Sequence, residues 1–182
     1  MKGTAAVLNK PTGLAFFNGG VYFCDSGNNR VRRIAAADLT ITTVAGNGQA
    51  NFSGDGGLAT NAALSNPQGL TFDSAGNMYI ADSGNYSVRK VTPSGMISTV
   101  AGSATSFNFR TGGPATSLFL LSPTDVSLDS SGNLFIAEEG GERVSEVLVN
   151  APTFQVSTNT LAFTAPAGSS PQDRNINLSG SI

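Results

Sequence analysis

The chain has 182 residues, a formal charge of −2, no histidine, one cysteine and 22 glycines. A single thiol excludes an internal disulfide, and the lack of histidine removes both the usual base partner of a nucleophilic cysteine and a common zinc ligand. No run of 18 apolar residues occurs, so no helical membrane span is expected.

In chain order, GTAAVLNKP, residues 3 to 11, reads as the end of a loop. Pro11 then opens PTGLAFFNGGVYFCDSGNNRVRRI, which returns from Pro67 as PQGLTFDSAGNMYIADSGNYSVRKV and from Pro123 as PTDVSLDSSGNLFIAEEGGERVSEV, at steps of 56 residues. ITTVAG from Ile41 returns as ISTVAG from Ile97, and Ala59-Thr60 returns as Ala115-Thr116, so the loops repeat as well. A fixed period of this length signals supersecondary units that cannot bury their apolar faces without neighbours. Counting back from Pro11 places Gly3-Thr4 in the same loop, and the chain is expected to start in mid-repeat.

Within the second unit, Gly69 to Phe72, Met78 to Ala81, Ser87 to Val91 and Ile97 to Ala101 read as four short strands. DSAGN, DSGNY and TPSG separate them with turn chemistry: Gly76, Gly84 and Gly95 accept positive φ, and Asp and Asn side chains bond to nearby amides. Four strands joined by tight hairpins make one propeller blade. Helix content is expected to be small, with at most one helical turn at Gly57 to Leu64.

The Pro-Gly start, the GN-x-Y-I-A-D centre and the DSGNNRVRRI end resemble NHL repeats over residues 3 to 149, and the VAG…GDGG…AT loop is most similar to the multi-repeat NHL propellers of bacterial extracytoplasmic proteins. The fold class expected is therefore all-β, about three blades of four antiparallel strands followed by a truncated β-sandwich-like tail. The resemblance implies rings of about six blades, TolB-like, so the chain is expected to be part of a larger protein or to self-associate to complete a ring. It also implies an extracytoplasmic or secreted location. It carries little about function, because these propellers serve many roles. The third copy departs most, with Asp125 for Gly69, Glu138 for Asp82 and Gly141 for Asn85.

Candidate residues were sought in the repeated turns. Cys24 aligns with Ala81 and Ala137, the place of a small buried packing residue. Asp25, Asp82 and Glu138 share one strand-end position, where an acid either braces its turn through backbone hydrogen bonds or joins a hard-metal site; the turn role is the favoured reading. The loop around Asp55 has three nearby glycines but no further carboxylate, and its copy carries Thr111, which favours a structural crossover over an ion site. No catalytic, cofactor or metal residue is assigned. Asp25, Asn28, Arg30, Asp55, Asp82, Asn85, Glu138 and Glu139 are the candidate interaction-loop residues, presented to a protein or glycan partner. The competing reading is part of a propeller hydrolase or lyase with its catalytic residues in further blades.

Six of the ten basic residues lie in or beside the third strands (Arg30, Arg32, Arg33, Arg89, Lys90, Arg143), whereas the third unit holds Asp125, Asp129, Glu138, Glu139, Glu142 and Glu146. A pI near 4.9 and the absence of tryptophan argue against nucleic acid as a partner. From residue 150 the pattern changes. Phe154-Val156, Leu161-Phe163 and Ile176-Leu178 alternate as short strands, resembling the opening of an immunoglobulin-like or BACON-like module, with Ala151-Pro152 as linker. The domains expected are residues 1–149 and 150–182.

Overall fold

The computed structural model describes residues 6–103 and 114–148, together with the backbone of Gln155–Val156. The expectations placed on Gly3-Thr4, Thr111, Ala151-Pro152 and the strands beyond residue 156 lie outside these residues.

Among these residues twelve strands form three antiparallel sheets, each running in sequence order. The first holds β1 (Pro11–Phe17), β2 (Gly20–Asp25), β3 (Arg30–Ala35) and β4 (Ile41–Ala45); the second holds β5 (Pro67–Phe72), β6 (Met78–Asp82), β7 (Ser87–Val91) and β8 (Ile97–Gly102). The third holds β9 (Pro123–Leu128), β10 (Leu134–Glu138), β11 (Arg143–Leu148) and β12 (Gln155–Val156). The fold is all-β, and the only helical pieces among the described residues are single 3-10 turns such as Ser26–Asn28 and Ser83–Asn85. Residues 57–64 contain no helix: the Leu58 and Ala59 carbonyls accept from Asn61 and Ala62 N–H in four-residue turns, and Leu58 bridges Met96.

The fourth strand of the third sheet differs from expectation. Gln155 and Val156 belong by sequence to the following segment, yet their backbone pairs with Leu148 and Val147. An outer edge at β11 would otherwise present a row of unpaired amides and carbonyls, which this pairing partly removes.

Two buried clusters hold the sheets face to face. One joins Cys24, Val31 and Ala45 of the first sheet to Leu70, Met78, Ile80, Val91 and Ile97 of the second. The other joins Tyr79, Ala81, Val88, Val100 and Ala101 of the second to Val126, Leu134, Ile136 and Val147 of the third. Period-two alternation explains the division, because successive residues of one strand face opposite neighbours. Cys24 is fully buried here, and burial, reinforced by the charges of Asp125 and Asp82, pushes its thiol far above the ordinary range, which makes it an inert packing group.

The first strands of successive sheets run close together. A Cβ on Gly13 would meet the Gln68 carbonyl and lie 2.8 Å from Gly69 Cα, and one on Gly69 would lie 2.7 Å from Asp125 Cα. Only glycine fits such an approach. The same face order leaves Leu14 and Phe16 of the first sheet 77% and 74% exposed, whereas their counterparts Leu70 and Phe72 pack on the neighbouring sheet.

The crossover from β4 to β5 is not slack. Gly56 N–H donates to the Ile97 carbonyl, Ile97 N–H to Gly57 and Ala59 N–H to Gly95, so residues 56–59 cover the start of the outer edge of β8.

Candidate functional site

Each sheet has two ends of different character. At one end lie the β2–β3, β6–β7 and β10–β11 turns with the crossovers; at the other lie the remaining hairpins.

The first end is built around the three equivalent acids. Asp25 Oδ1 accepts from Asn9 N–H at 2.8 Å, Asp82 Oδ1 from Ser65 N–H at 2.7 Å, and Glu138 Oε2 from Leu121 N–H at 2.6 Å. Those donors stand two residues before Pro11, Pro67 and Pro123. The residue between, Lys10, Asn66 or Ser122, has a positive φ of 50°, 48° or 51°. An uncommon backbone conformation for non-glycine residues thus recurs next to a charge-assisted hydrogen bond that holds it in place. Asn28 and Asn85 amides complete the first two acids at 3.0 Å and 2.8 Å, and Arg143 with Ser145 completes Glu138.

In the second sheet this brace reaches further. Arg89, fully buried, donates to Asp82 at 3.3 Å and to Asp55 of the crossover at 2.6 Å, and its guanidinium sits 4.7 Å from the Phe52 ring centroid. Asp55 Oδ2 also accepts from Thr99 N–H. The one acid of the glycine-rich loop is therefore a latch onto a buried cation, as a structural crossover requires. Burial raises the Asp82 carboxyl to about 6, against the opposing hydrogen bonds of Asn85 and Ser65 and the charge of Arg89.

The structure thus brings Asp55, Asp82 and Asn85 together with Arg89, and leaves Asp25 with Asn28, and Glu138 with Arg143, as separate braces. Asp25, Asp82, Asn85 and Glu138 are buried. Arg30, half-buried, donates to the Asn47 carbonyl, while Asp55 and Glu139 are exposed. Among the described residues no group of three or more His, Cys, Asp or Glu side chains is placed to hold a metal ion.

The opposite end holds what sequence reasoning missed. A cleft of about 540 Å³ opens between the first two sheets, lined by Phe17, Asn18, Tyr22, Val44, Phe72, Met78, Val91 and the turn residues Gly76, Thr92, Pro93 and Gly95. Phe17 and Phe72 stack at 4.5 Å with planes 7° apart, and Tyr22 meets Phe72 edge-on at 4.7 Å. That volume lies within the range of ligand pockets. The signal was present in the sequence: Phe17 stands where the other units have Asp73 and Asp129, in a hairpin one residue shorter. In the second sheet that acid is used internally. Asp73 accepts from Asn77 and, at 3.1 Å, from the Tyr79 hydroxyl, and Lys90 lies 5.6 Å from the Tyr79 ring. Burial alone would raise the Asp73 carboxyl, but Asn77, Tyr79 and the Lys90 charge together hold it below the ordinary range.

Residues 44–112 match the family model described as Teneurin NHL domain. NHL repeat-containing protein 2 of Bos taurus is 30% identical over 143 residues, covering 72% of this chain and 18% of that protein. Teneurin-4 of Homo sapiens is 37% identical over 98 residues, 47% of this chain and 4% of that protein. The chain therefore spans less than a fifth of either relative. Among solved structures, a structural genomics protein of unknown function from Bacteroides thetaiotaomicron aligns with a TM-score of 0.63 at 24% identity, over 93% of this chain and 40% of the other. A streptogramin B lyase aligns at 0.56 and 12% identity, over 83% and 41%. At those identities the two structures speak for the fold alone. The repeat spacing, the four-stranded meanders and these matches together make the three sheets β-propeller blades, similar to those of NHL domains.

Proposed function

We propose that the chain is a non-enzymatic interaction scaffold, a set of NHL-type blades that presents its surface to a protein partner in an extracytoplasmic setting. The observation that carries this reading is the unequal use of the two blade ends. Acids at the crossover end are consumed in holding turns, whereas the hairpin end leaves an open aromatic cleft between two rigid sheets. Rigid scaffolds with exposed turns serve recognition well, because little ordering cost falls on binding. The lyase likeness supports catalysis only at the level of fold.

The test presents the immobilised 182-residue chain to peptide and glycan libraries and follows the bound material for chemical change. Saturable binding of peptides without turnover supports the scaffold reading; turnover of a bound substrate overturns it in favour of the hydrolase or lyase alternative.

Two finer points belong to the same proposal. Residues 150–182 are read as a separate module for which residues 155–156 form the join to the third blade. The exposed Leu14 and Phe16, the first of which lines a cavity of about 400 Å³ with Leu8, Phe23 and Ile34, favour self-association through the first blade's open face. Light scattering across a concentration series checks this, with a discrete oligomer lost in Phe16→Ser as the expected result and an unchanged monomer against it.

A further inference from the structure

Arg89 holds the crossover of the second blade, and the first blade carries the same cation without the loop. Arg89 stands between Ile80 and Thr99 in the register of the second sheet, and Arg32 stands between Phe23 and Thr43 in that of the first. Around Arg89, Asp55 accepts from Nη2 at 2.6 Å and from the Thr99 N–H at 3.1 Å, the Ser53 carbonyl accepts from Nη2 at 3.1 Å, and residues 56 and 57 pair with Ile97. Arg32 has none of these contacts. Its Nη1 donates to the Thr43 hydroxyl at 3.0 Å, its Nε is buried without a partner, and its Nη2, which is not enclosed, has none either among the described residues. No carboxylate of those residues pairs with Arg32, and no loop of them bonds to Ile41 as residues 56 and 57 bond to Ile97. The third unit shows that cation and acid go together: Ser145 stands in the arginine's place where Thr111 stands in the aspartate's. A guanidinium donor left unmatched is costly, and beside an uncovered strand edge it suits an extended segment that brings a carboxylate.

We propose that the outer margin of the first blade, at β3 and β4, binds an extended peptide segment in which an aspartate stands between glycines and is followed by small apolar residues. Residues 53–64 define that chemistry, because they occupy the equivalent margin of the second blade. The aspartate accepts from Arg32 Nη2 and the Thr43 N–H, and the glycines after it pair with the Ile41 backbone. The small apolar side chains pack beside Ile34, as Ala59, Ala62 and Leu64 pack in one cluster with Val91 and Ile97. Glycine is needed on either side of the acid, since Gly54 and Gly56 have φ of 95° and 79°. A second copy of the chain does not supply the segment, because its Asp55 is held by its own Arg89. This margin lies across the sheet from β1, which carries Leu14 and Phe16. The inference rests on the scaffold reading and names its partner's chemistry.

The blocked peptide NFSGDGGLATNAAL, which has the sequence of residues 51–64, and its Asp55→Asn version are titrated to millimolar concentration into the full chain. Nuclear magnetic resonance follows the Arg32 Nε–H and the Ile41 and Thr43 amides, with the Arg89 Nε–H as internal control. The aspartyl peptide is expected to shift the three first-blade signals and leave Arg89 in place, and the asparaginyl peptide to bind about ten-fold more weakly, as loss of a charged hydrogen bond implies. Arg32→Ser, which gives the first blade the residue found in the third, is expected to make the two peptides equal. The peptide pair is compared on the unaltered chain, so the result does not depend on that variant folding. Equal binding of the two peptides to the unaltered chain, no shift at Arg32, or shifts confined to Arg89 overturn the proposal. A peptide captured at another surface in the library experiment would leave the scaffold reading standing while this one fails.

Discussion

At the crossover end of the blades, Asp25, Asp82 and Glu138 occupy one position and perform one task, accepting the amide two residues before a proline. At the hairpin end, Phe17, Asp73 and Asp129 also occupy one position, but the first packs against a ring while the other two hold asparagines. The contrast separates what the architecture demands from what it permits. A residue type kept in every copy is tied to geometry that every copy shares; one that changes is free to take on something local to one seam.

Substitutions can break or sharpen this contrast. The largest expected effect is at the crossover end, where Arg89→Met leaves the Asp82 carboxylate buried without its cation; urea denaturation at neutral pH should show a loss of about 3–5 kcal/mol. A loss below about 1 kcal/mol would put this pair in the class of surface ion pairs and weaken the contrast. Next, Gly13→Ala forces a Cβ into the Gln68 carbonyl, and a loss of about 1–3 kcal/mol with lowered melting temperature is expected.

A pH profile sharpens the picture further. The folded carboxyl of Asp82 is raised from 3.8 to about 6, chiefly by burial, so the native state binds more protons than the unfolded one across that interval. The contribution of Asp82 to stability is then greatest below about pH 4 and declines as pH rises to about 6. Asp82→Asn should flatten that part of the curve, measured by denaturation at each pH. Smallest of all is Phe17→Asp at the hairpin end, which forfeits one aromatic pair worth about 0.5–1.5 kcal/mol and should leave the melting temperature nearly unchanged. A severe loss there would show that Phe17 is as structural as the acids opposite.

The fold was legible because a 56-residue period tied each strand to two others, so that no single segment had to be read alone. Strand limits in the second unit fell within a residue or two of those found, since the glycines and asparagines of DSAGN and TPSG fix where hairpins turn. The acids were readable as turn braces for the same reason. Their burial was not: Arg89 and the Asp55 loop close over Asp82 and Asn85. A latch across 34 residues has no local pattern to announce it. The aromatic cleft failed differently. Phe17, Tyr22 and Phe72 lie on two sheets, and only the docking of one on the other brings them together. The short strand at Phe154-Val156 was legible, but its pairing with the third blade was not, because a two-residue strand carries no sign of its partner.

The crossover that covers the β8 edge has a consequence for how such chains are cut and joined. Residues 56–59 follow the first sheet in sequence but are hydrogen-bonded to the second, so the physical module is staggered against the visible motif. A cassette beginning at Pro67 would start a tandem array with one bare sheet margin, whereas one beginning at Asn47 and ending at Gly102 brings its own cover. For anyone duplicating, grafting or nicking this protein, the safe seam lies just after the fourth strand and not at the proline where the motif appears to begin.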